Sequence, residues 1–138
     1  LVEEYDPRGR HFDIVALCQT VDHLLDVSVT LRRVRNLLPA HGLLFLDIVD
    51  FRAACLRDWS VEQAVKIDHP YYLTESTMQA FLRRMGFEVL RADHAADHLH
   101  VSYVCRPADP INDFMPEAVH VAGLWREIRA VQNAPRPS

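Results

Sequence analysis

Four residues whose side chains can bind or catalyse lie close together near the start of the chain. Cys18, Gln19 and Thr20 follow a short apolar run, and His23 comes three residues after them. Because imidazole titrates near neutral pH, His23 is a candidate general base for a hydroxyl or amine nucleophile. The alternative is that His23 caps or orients its loop through a hydrogen bond.

A second candidate group consists of His69, Tyr71 and Tyr72, in a stretch interrupted by Pro70. Its aromatic faces and hydrogen-bond donors are suited to covering the site of a small acceptor molecule. The competing interpretation is a loop that Pro70 orders and that packs its tyrosines on the edge of a sheet. The pattern alone leaves both interpretations open.

A third group of histidines and carboxylates, between Asp93 and His100, suggests a metal hypothesis. His98 and His100 would share one face of a strand, with Asp97 nearby. However, these residues fall in a turn and an outer strand, and no third ligand follows at a fixed spacing. We therefore expect a solvated polar strand face there, and no metal site.

The bulk composition excludes several classes of partner. The chain has 138 residues, 49% of them hydrophobic and 25% charged, which is enough for one globular domain. Its net charge is -4 and no stretch concentrates Lys or Arg, so we expect neither a nucleic-acid nor a membrane partner. Three widely spaced cysteines favour reduced thiols, and no apolar run is long enough to cross a bilayer. A cytoplasmic location is therefore expected.

The first half of the chain alternates apolar runs with a helical stripe. Segments 12–18 and 43–49 are predicted to be strands buried on both faces, as in a parallel sheet. A strand, helix, strand order of this kind is typical of a right-handed crossover unit. The stripe between the two strands is Val27, Leu31, Val34 and Leu38, and the arginines that it turns outward are Arg32, Arg33 and Arg35.

The second half predicts a helix, two antiparallel strands and a last helix. Thr74 is a good N-cap, and Gly86 closes the helix that follows it. The strand from Leu99 to Cys105 should pair antiparallel with segment 87–91, because the connection 92–98 is too short for a crossover. The final amphipathic helix has this apolar stripe: Val121, Leu124, Trp125, Ile128 and Val131.

Four local patterns, in their order along the chain, resemble the back half of class I S-adenosylmethionine-dependent methyltransferases. They are Phe12-Asp-Ile-Val15 with Gln19-Thr-Val-Asp-His23, Asn36-Leu-Leu-Pro-Ala-His-Gly42, Asp68-His-Pro-Tyr-Tyr-Leu-Thr74, and Gly86-Phe87. The resemblance implies an α/β fold with a partial Rossmann-like sheet, mostly parallel, with helices on its faces and one antiparallel strand. The strands that should lie side by side contain, in order, Ile14, Leu43, Val101 and Glu88.

The resemblance also implies a function, which is methyl transfer from S-adenosylmethionine to a small-molecule acceptor. It places Cys18, Gln19 and Thr20 beside the cofactor. In this family a glycine-rich turn holds the methionine part of the cofactor, and the four glycines of this chain form no such cluster. We therefore expect the C-terminal portion of a longer or truncated enzyme, which by itself binds the cofactor weakly or not at all.

The expected organisation is a methyltransferase-like part (1–106), an extension with the amphipathic helix (107–133) and a flexible tail (134–138). Two other functions stay open, a non-catalytic α/β binding or assembly module and half of a nucleotide-cofactor dehydrogenase. Strand 13–18 would form an exposed edge, which invites another chain. We expect it to be covered by a second copy in a homodimer, by residues 1–5 or by the C-terminal helix.

Overall fold

A four-stranded sheet with helices against it forms the body of the protein. The computed structural model describes residues 4–111 and 118–134. The strands are β1 (Ile14–Leu17), β2 (Leu43–Val49), β3 (Phe87–His94) and β4 (His100–Pro107). The helices are α1 (Val27–Leu37), α2 (Phe51–Asp58), α3 (Val61–Ala64), α4 (Glu75–Arg84) and α5 (Ala118–Gln132), and a 3₁₀ turn (Val21–His23) precedes α1.

The strands lie in the order β1-β2-β4-β3. The strands β1 and β2 are parallel, with Ile14 opposite Leu43, whereas β4 runs antiparallel to both β2 and β3. The short connection between β3 and β4 allows only a hairpin, and a one-residue bulge near Val89 adjusts the register of that pair. The α/β fold, the strand order and the antiparallel direction of β4 are therefore confirmed, although β4 extends to Pro107 beyond its expected end at Cys105.

The first strand is shorter and more exposed than its sequence predicts. It begins at Ile14, because the amide of Phe12 donates to the carbonyl oxygen of Leu37 instead of joining the sheet. Within the described residues β1 pairs with β2 alone, and Ile14 is 65% exposed. The prediction of a strand buried on both faces is therefore wrong for β1, although Leu17 at its end is buried.

The helix α1 buries the stripe that its sequence predicts. Val27, Leu31 and Val34 are fully buried in the main core. The helix begins where the side chain of Asp26 accepts a hydrogen bond of 2.9 Å from the amide of Val29. Its apolar residues join buried residues of the sheet and of α4 in one continuous cluster.

One of the three arginines expected to point outward, Arg35, instead crosses to the end of α4. Its guanidinium donates to the carbonyl oxygens of Gly86, at 3.2 Å, and Ala108, at 3.0 Å. Gly86 has a φ of +82°, and a Cβ there would lie 2.5 Å from Nε of Arg35. Glycine is required at this helix end for both its left-handed backbone and the close approach of Arg35. The predicted closure of the helix at Gly86 is confirmed.

The helix α4 begins with a capping box. The side chain of Thr74 accepts from the amide of Thr77, at 3.3 Å, and the hydroxyl of Thr77 accepts from the amide of Thr74, at 2.8 Å. Met78 and Leu82 then bury the apolar face of the helix in the main core. The N-cap predicted at Thr74 is thus confirmed.

The last helix, α5, packs on α2 rather than on β1. Ile128 is 1% exposed and forms a small second cluster with Phe51 and Cys55, with Leu124 packed against it. Trp125, which the sequence places in the same stripe, is 44% exposed, and the side chain of Val121 lies outside the described residues. The C-terminal helix therefore does not cover the edge of β1, because α2 offers it an apolar surface closer along the chain.

Candidate functional site

The carboxyl ends of β1 and β2 meet at one edge of the sheet, where a tight turn follows β1. Gln19 has a φ of +49°, and its amide donates to Oδ1 of Asp47 at 2.6 Å while its side-chain Nε2 lies 3.1 Å from Oδ2. The hydroxyl of Thr20 donates to the carbonyl oxygen of Cys18 at 2.8 Å. The three residues predicted to lie beside a cofactor are thus fixed at the position where open α/β sheets bind ligands.

Asp47 is a residue of this turn that sequence reasoning missed. It lies on β2, 28 residues after Gln19, and no local pattern links the two. Its carboxylate holds both polar groups of Gln19, which compensates for a left-handed backbone that a non-glycine residue rarely adopts. The sequence feature that could have indicated this contact is the position of Asp47 as a polar residue inside the otherwise apolar run 43–49.

The 3₁₀ turn itself contains a buried carboxyl group. Asp22 is 7% exposed, and no hydrogen-bond partner reaches its Oδ1. Burial raises the pKa of Asp22, whereas a backbone hydrogen bond from Val49 and the nearby rings of His69 and His23 act in the opposite direction. An ionisable group kept under these conditions is characteristic of functional sites.

The two histidines proposed separately, His23 and His69, are brought into contact. Their ring centroids lie 4.6 Å apart and the ring planes meet at 82°. Nδ1 of His23 lies 3.2 Å from the carbonyl oxygen of Asp68. The carboxylate of Asp68 is 3.9 Å from His23 Nδ1 and 4.0 Å from His69 Nε2.

His23, Asp68 and His69 together form a group of possible metal donors. One ligand atom from each lies within 4.8 Å of the other two. Sequence reasoning gave Asp68 no role, although it directly precedes His69 in a motif that was recognised. The chain separation of 45 residues between His23 and Asp68 explains why spacing could not reveal the group.

The two tyrosines of the same loop use their hydroxyls to fix its shape. Tyr71 donates to the carbonyl oxygen of Leu25 at 3.1 Å, and Tyr72 donates to the carbonyl oxygen of Lys66 at 2.6 Å. The ring of Tyr72 also contacts Phe51, with centroids 4.9 Å apart. Both tyrosines line a cavity of ≈ 40 Å³ that Asp22 and His69 share. The loop is therefore ordered by its own contacts and lies beside His23, and its role over an acceptor stays a prediction.

Asp50 connects the elements around this loop and was also missed. Its Oδ1 accepts from the amide of Ala53 and its Oδ2 from the amide of Glu75, both at 2.7 Å. One buried carboxylate therefore caps α2 and α4 together. The amide of Phe51 donates to the carbonyl oxygen of Leu73 at 2.9 Å, which fixes the end of the loop to the start of α2.

The histidines of the β3–β4 hairpin lie apart from this site. Nδ1 of His100 lies 2.5 Å from Oδ2 of Asp97, and His94 is 3.2 Å from Glu75. Backbone hydrogen bonds from Leu99 and His100 lower the pKa of Asp97 to about 2. These contacts are exposed pairs, one within the β3–β4 hairpin and one between β3 and the start of α4.

A larger cavity, of ≈ 480 Å³, lies between the segment that precedes β1 and helix α1. It contains none of the residues predicted to bind cofactor or acceptor. Its lining includes Tyr5, Arg10, His11, Arg33 and Leu37. The larger of these two cavities is therefore not the one that contains the predicted site residues.

A methyltransferase domain model matches residues 2–92, which is most of the chain. Over 49 residues the chain is 43% identical to the ubiquinone biosynthesis O-methyltransferase of Bradyrhizobium diazoefficiens. That match covers 36% of this chain and 19% of the relative. The chain therefore aligns with a small part of the length of this curated relative.

Solved structures share the fold at low sequence identity. An S-adenosylmethionine-dependent methyltransferase of Clostridium acetobutylicum matches with a TM-score of 0.60 and 11% identity, over 79% of this chain and 63% of its own. The CcbJ methyltransferase of Streptomyces caelestis matches with a TM-score of 0.60 and 14% identity, over 79% and 62%. The magnesium protoporphyrin IX methyltransferase of Synechocystis, solved with bound SAH, matches with a TM-score of 0.57 and 13% identity, over 78% and 49%. The sheet is thus the one that methyltransferases use.

Within residues 4–111 and 118–134, no helix has the length and apolar character needed to cross a membrane.

Proposed function

Because the chain belongs to the methyltransferase domain family, we propose that it forms the C-terminal part of an enzyme that transfers a methyl group from S-adenosylmethionine to a small molecule. The observation that carries this proposal is the meeting of His23 with the loop of His69 at the carboxyl edge of the sheet. Ligands of open α/β sheets bind at this edge. The chain spans less than two thirds of its structural neighbours, so the complete reaction needs residues that they have in addition.

The proposed cofactor is S-adenosylmethionine, and the turn of Cys18, Gln19 and Thr20 is the part of this chain that would contact it. Support comes from the bound SAH of the Synechocystis neighbour, which is the cofactor after loss of its methyl group. The side chain of Gln19 is held by Asp47, so the exposed Cys18 and the backbone of the turn are the groups left to face a ligand. With no glycine-rich turn, this chain alone should bind the cofactor weakly.

We assign the proton chemistry of the proposed reaction to His23. The acceptor oxygen, nitrogen or carbon bonds to the methyl carbon, the C–S bond breaks, and its electron pair returns to sulfur. The proton of the acceptor passes to a ring nitrogen of His23, which contacts the loop proposed to cover the acceptor. Alignment of the two reactants supplies much of the rate enhancement, since a sulfonium is already a good leaving group.

The acceptor loop would be formed by His69, Tyr71 and Tyr72. Its shape is set by the hydrogen bonds of Tyr71 and Tyr72 to backbone carbonyls, and His69 is the one of the three whose ring contacts His23. The Bradyrhizobium relative is named as an O-methyltransferase, which supports an oxygen atom as acceptor here.

The test of the proposed function begins with the coding sequence upstream of Leu1. A glycine-rich strand-turn-helix encoded there would complete the cofactor site, and its absence would defeat the enzyme proposal. The complete protein should then bind S-adenosylhomocysteine in calorimetry, and the 138-residue chain alone should bind it at least about tenfold more weakly. His23→Gln in the complete protein should leave that binding unchanged, because the ring acts on the acceptor.

A homodimer and a cytoplasmic location belong to the same proposal. The exposed edge of β1, with Ile14 65% exposed, supports a second copy or another segment pairing with it. The three cysteines are free among the described residues, as expected in a reducing compartment. The same exposed edge is the observation that favours a non-catalytic assembly module, and sedimentation of the complete protein with and without S-adenosylhomocysteine separates the two.

The division of the chain at residues 106 and 133 is also retained as a proposal. The strand β4 crosses the first boundary by one residue, and α5 ends at Gln132, beside the second boundary. Residues 135–138 of the expected flexible tail lie outside the described residues. Limited proteolysis, with cleavage between residues 107 and 118 before any cleavage within the sheet, would support the first boundary.

A further inference from the structure

We propose that His23, Asp68 and His69 form a binding site for a divalent transition-metal cation of the zinc class. The site is built from two separate segments, the 3₁₀ turn after β1 and the loop before α4, which the fold brings together. This inference goes beyond the proposed methyl transfer and does not depend on it. It also revises the expectation that the chain has no metal site.

The geometry of the three side chains is close to that of a coordination shell. One ligand atom from each lies within 4.8 Å of the others, and the carboxylate of Asp68 lies 3.9 Å and 4.0 Å from the two rings. Ligand atoms around a tetrahedral zinc ion are about 3.4 Å apart, given bond lengths of about 2.1 Å. His23 and Asp68 are exposed, so small rotations of their side chains suffice to close this difference.

The surroundings of the rings supply the partners that metal-binding histidines need. A histidine ligand normally donates its second ring N–H to a backbone carbonyl or a carboxylate. With Nε2 of His23 as the ligand atom, the carbonyl oxygen of Asp68, 3.2 Å from Nδ1, would accept the second ring N–H. Asp22, which directly precedes His23, provides a second observation, because its carboxylate is 7% exposed and Oδ1 has no hydrogen-bond partner.

The donor set selects the class of cation. Two imidazoles and one carboxylate, with room for further ligands, suit zinc, cobalt or nickel, whereas magnesium prefers a shell made of oxygen atoms. Three protein ligands leave at least one position open. That position could take water or an oxygen atom of a small molecule.

Occupation by a cation would change the proton chemistry of the proposed reaction. A coordinated ring nitrogen has no free lone pair, so His23 could not accept a proton through it. This consequence rests on the proposed function, whereas cation binding itself does not. For this reason the test measures binding directly and uses neither S-adenosylmethionine nor a methyl acceptor.

The experiment is a calorimetric titration of the 138-residue chain with zinc chloride. It uses a Cys18→Ser background, because Cys18 is an exposed thiol that binds zinc by itself. We expect one zinc ion per chain and a fall in affinity of at least about tenfold in both Asp68→Asn and His69→Ala. Replacing zinc by cobalt should give the absorption bands of a four-coordinate ion, and magnesium should not bind at the same concentration.

The matched control is His41→Ala. His41 also lies beside a carboxylate, with its Nε2 3.5 Å from Asp13, but among the residues that the structure describes no third donor joins that pair. The control should bind zinc as the background chain does. Zinc binding that survives both Asp68→Asn and His69→Ala, or a folded background chain that takes up no zinc, would refute the proposal.

Discussion

The described residues form two hydrophobic clusters that differ in the number of residues they bury. The main core joins eighteen buried residues from β1, β2, β3, β4, α1, α4 and the segments between them. The second cluster has three buried residues, Phe51, Cys55 and Ile128, and lies between α2 and α5. A residue in the first cluster is therefore surrounded by several elements, whereas one in the second depends on a single helix pair.

This difference separates the sheet and its helices from α5, which packs on the outside of α2. The methyltransferase domain model ends at residue 92, before β4 and α5. The strand β4 is nevertheless integral, since it pairs with two strands and buries Val101, Tyr103 and Cys105. The described residues of α5 pack on α2 and add no residue to the main core, so removal of this helix should expose α2 without dissolving that core.

The largest effect is expected from truncating a side chain in the centre of the main core. Leu46→Ala removes a fully buried side chain of β2 and should lower the free energy of unfolding by about 3–5 kcal/mol. Urea denaturation followed by circular dichroism measures the change. Leu90→Ala is the control, because Leu90 lies in the β3 bulge and is 45% exposed, so its loss should cost less than about 1 kcal/mol. Equal losses at the two sites would contradict a core centred on β2.

Each of the three cysteines lies in a different part of the molecule, so its reaction with a thiol reagent shows whether that part has opened. Cys105 lies in the main core, Cys55 in the second cluster and Cys18 on the surface. Burial raises the pKa of the thiol of Cys55 to about 11 and that of Cys105 to about 12, whereas Cys18 is exposed. At pH 8 a thiol reagent should therefore modify Cys18 first, then Cys55 when α5 detaches, and Cys105 only on global unfolding. The rates should rise with pH, because only the thiolate reacts. Mass spectrometry measures the modification of each cysteine over time. If Cys105 is modified as fast as Cys55, the two clusters open together.

A smaller effect is expected from truncation in the second cluster. Ile128→Ala removes a side chain that is 1% exposed, but the surrounding helix pair can collapse around the gap. We expect a loss near about 2 kcal/mol, the lower end of the range for such substitutions. Cys55 should become reactive in this variant while Cys105 stays protected. Trp125→Ala, at a position 44% exposed on the same helix, should leave the protection of Cys55 unchanged.

The sequence predicts the main core better than the candidate site or the second cluster, because the interactions that form them act over different separations along the chain. Apolar runs, the cap at Thr74 and the glycine at Gly86 act over a few residues, so pattern and spacing reveal them. The carboxylates of Asp47 and Asp50 act on residues 28 and 25 positions away, and the sequence marks them only as isolated polar residues. The apolar run of β1 by itself predicts burial, and only the expected truncation of the fold indicates the exposed edge on which Ile14 lies, because burial depends on which neighbours a strand has.

The candidate site shows the same limit. His23 and His69 were recognised as polar residues in suitable loops, but their contact needs the fold, since 46 positions of chain separate them. Asp68 was part of a recognised motif and still gained no role until its distance from His23 was known. Sequence reasoning thus singled out both loops but not the contact that joins them.

The smallest effect is expected from the ion pair that links the two helices of the second cluster. The guanidinium of Arg52 forms two hydrogen bonds with the carboxylate of Glu127, and this pairing raises the pKa of Arg52 and lowers that of Glu127. Both side chains are nearly half exposed, at 47% and 41%, so water and salt screen the attraction. Arg52→Gln should therefore lower the free energy of unfolding by less than about 1 kcal/mol, and raising the salt concentration should shrink the difference from the parent chain.

The control is Arg91→Gln, which breaks the pair with Asp93 on the edge strand β3, away from α5. Faster labelling of Cys55 in Arg52→Gln, with no change in Arg91→Gln, would show that the pair holds α5 against α2. If neither variant changes the labelling rate, the apolar contacts of Ile128 alone hold the helix in place.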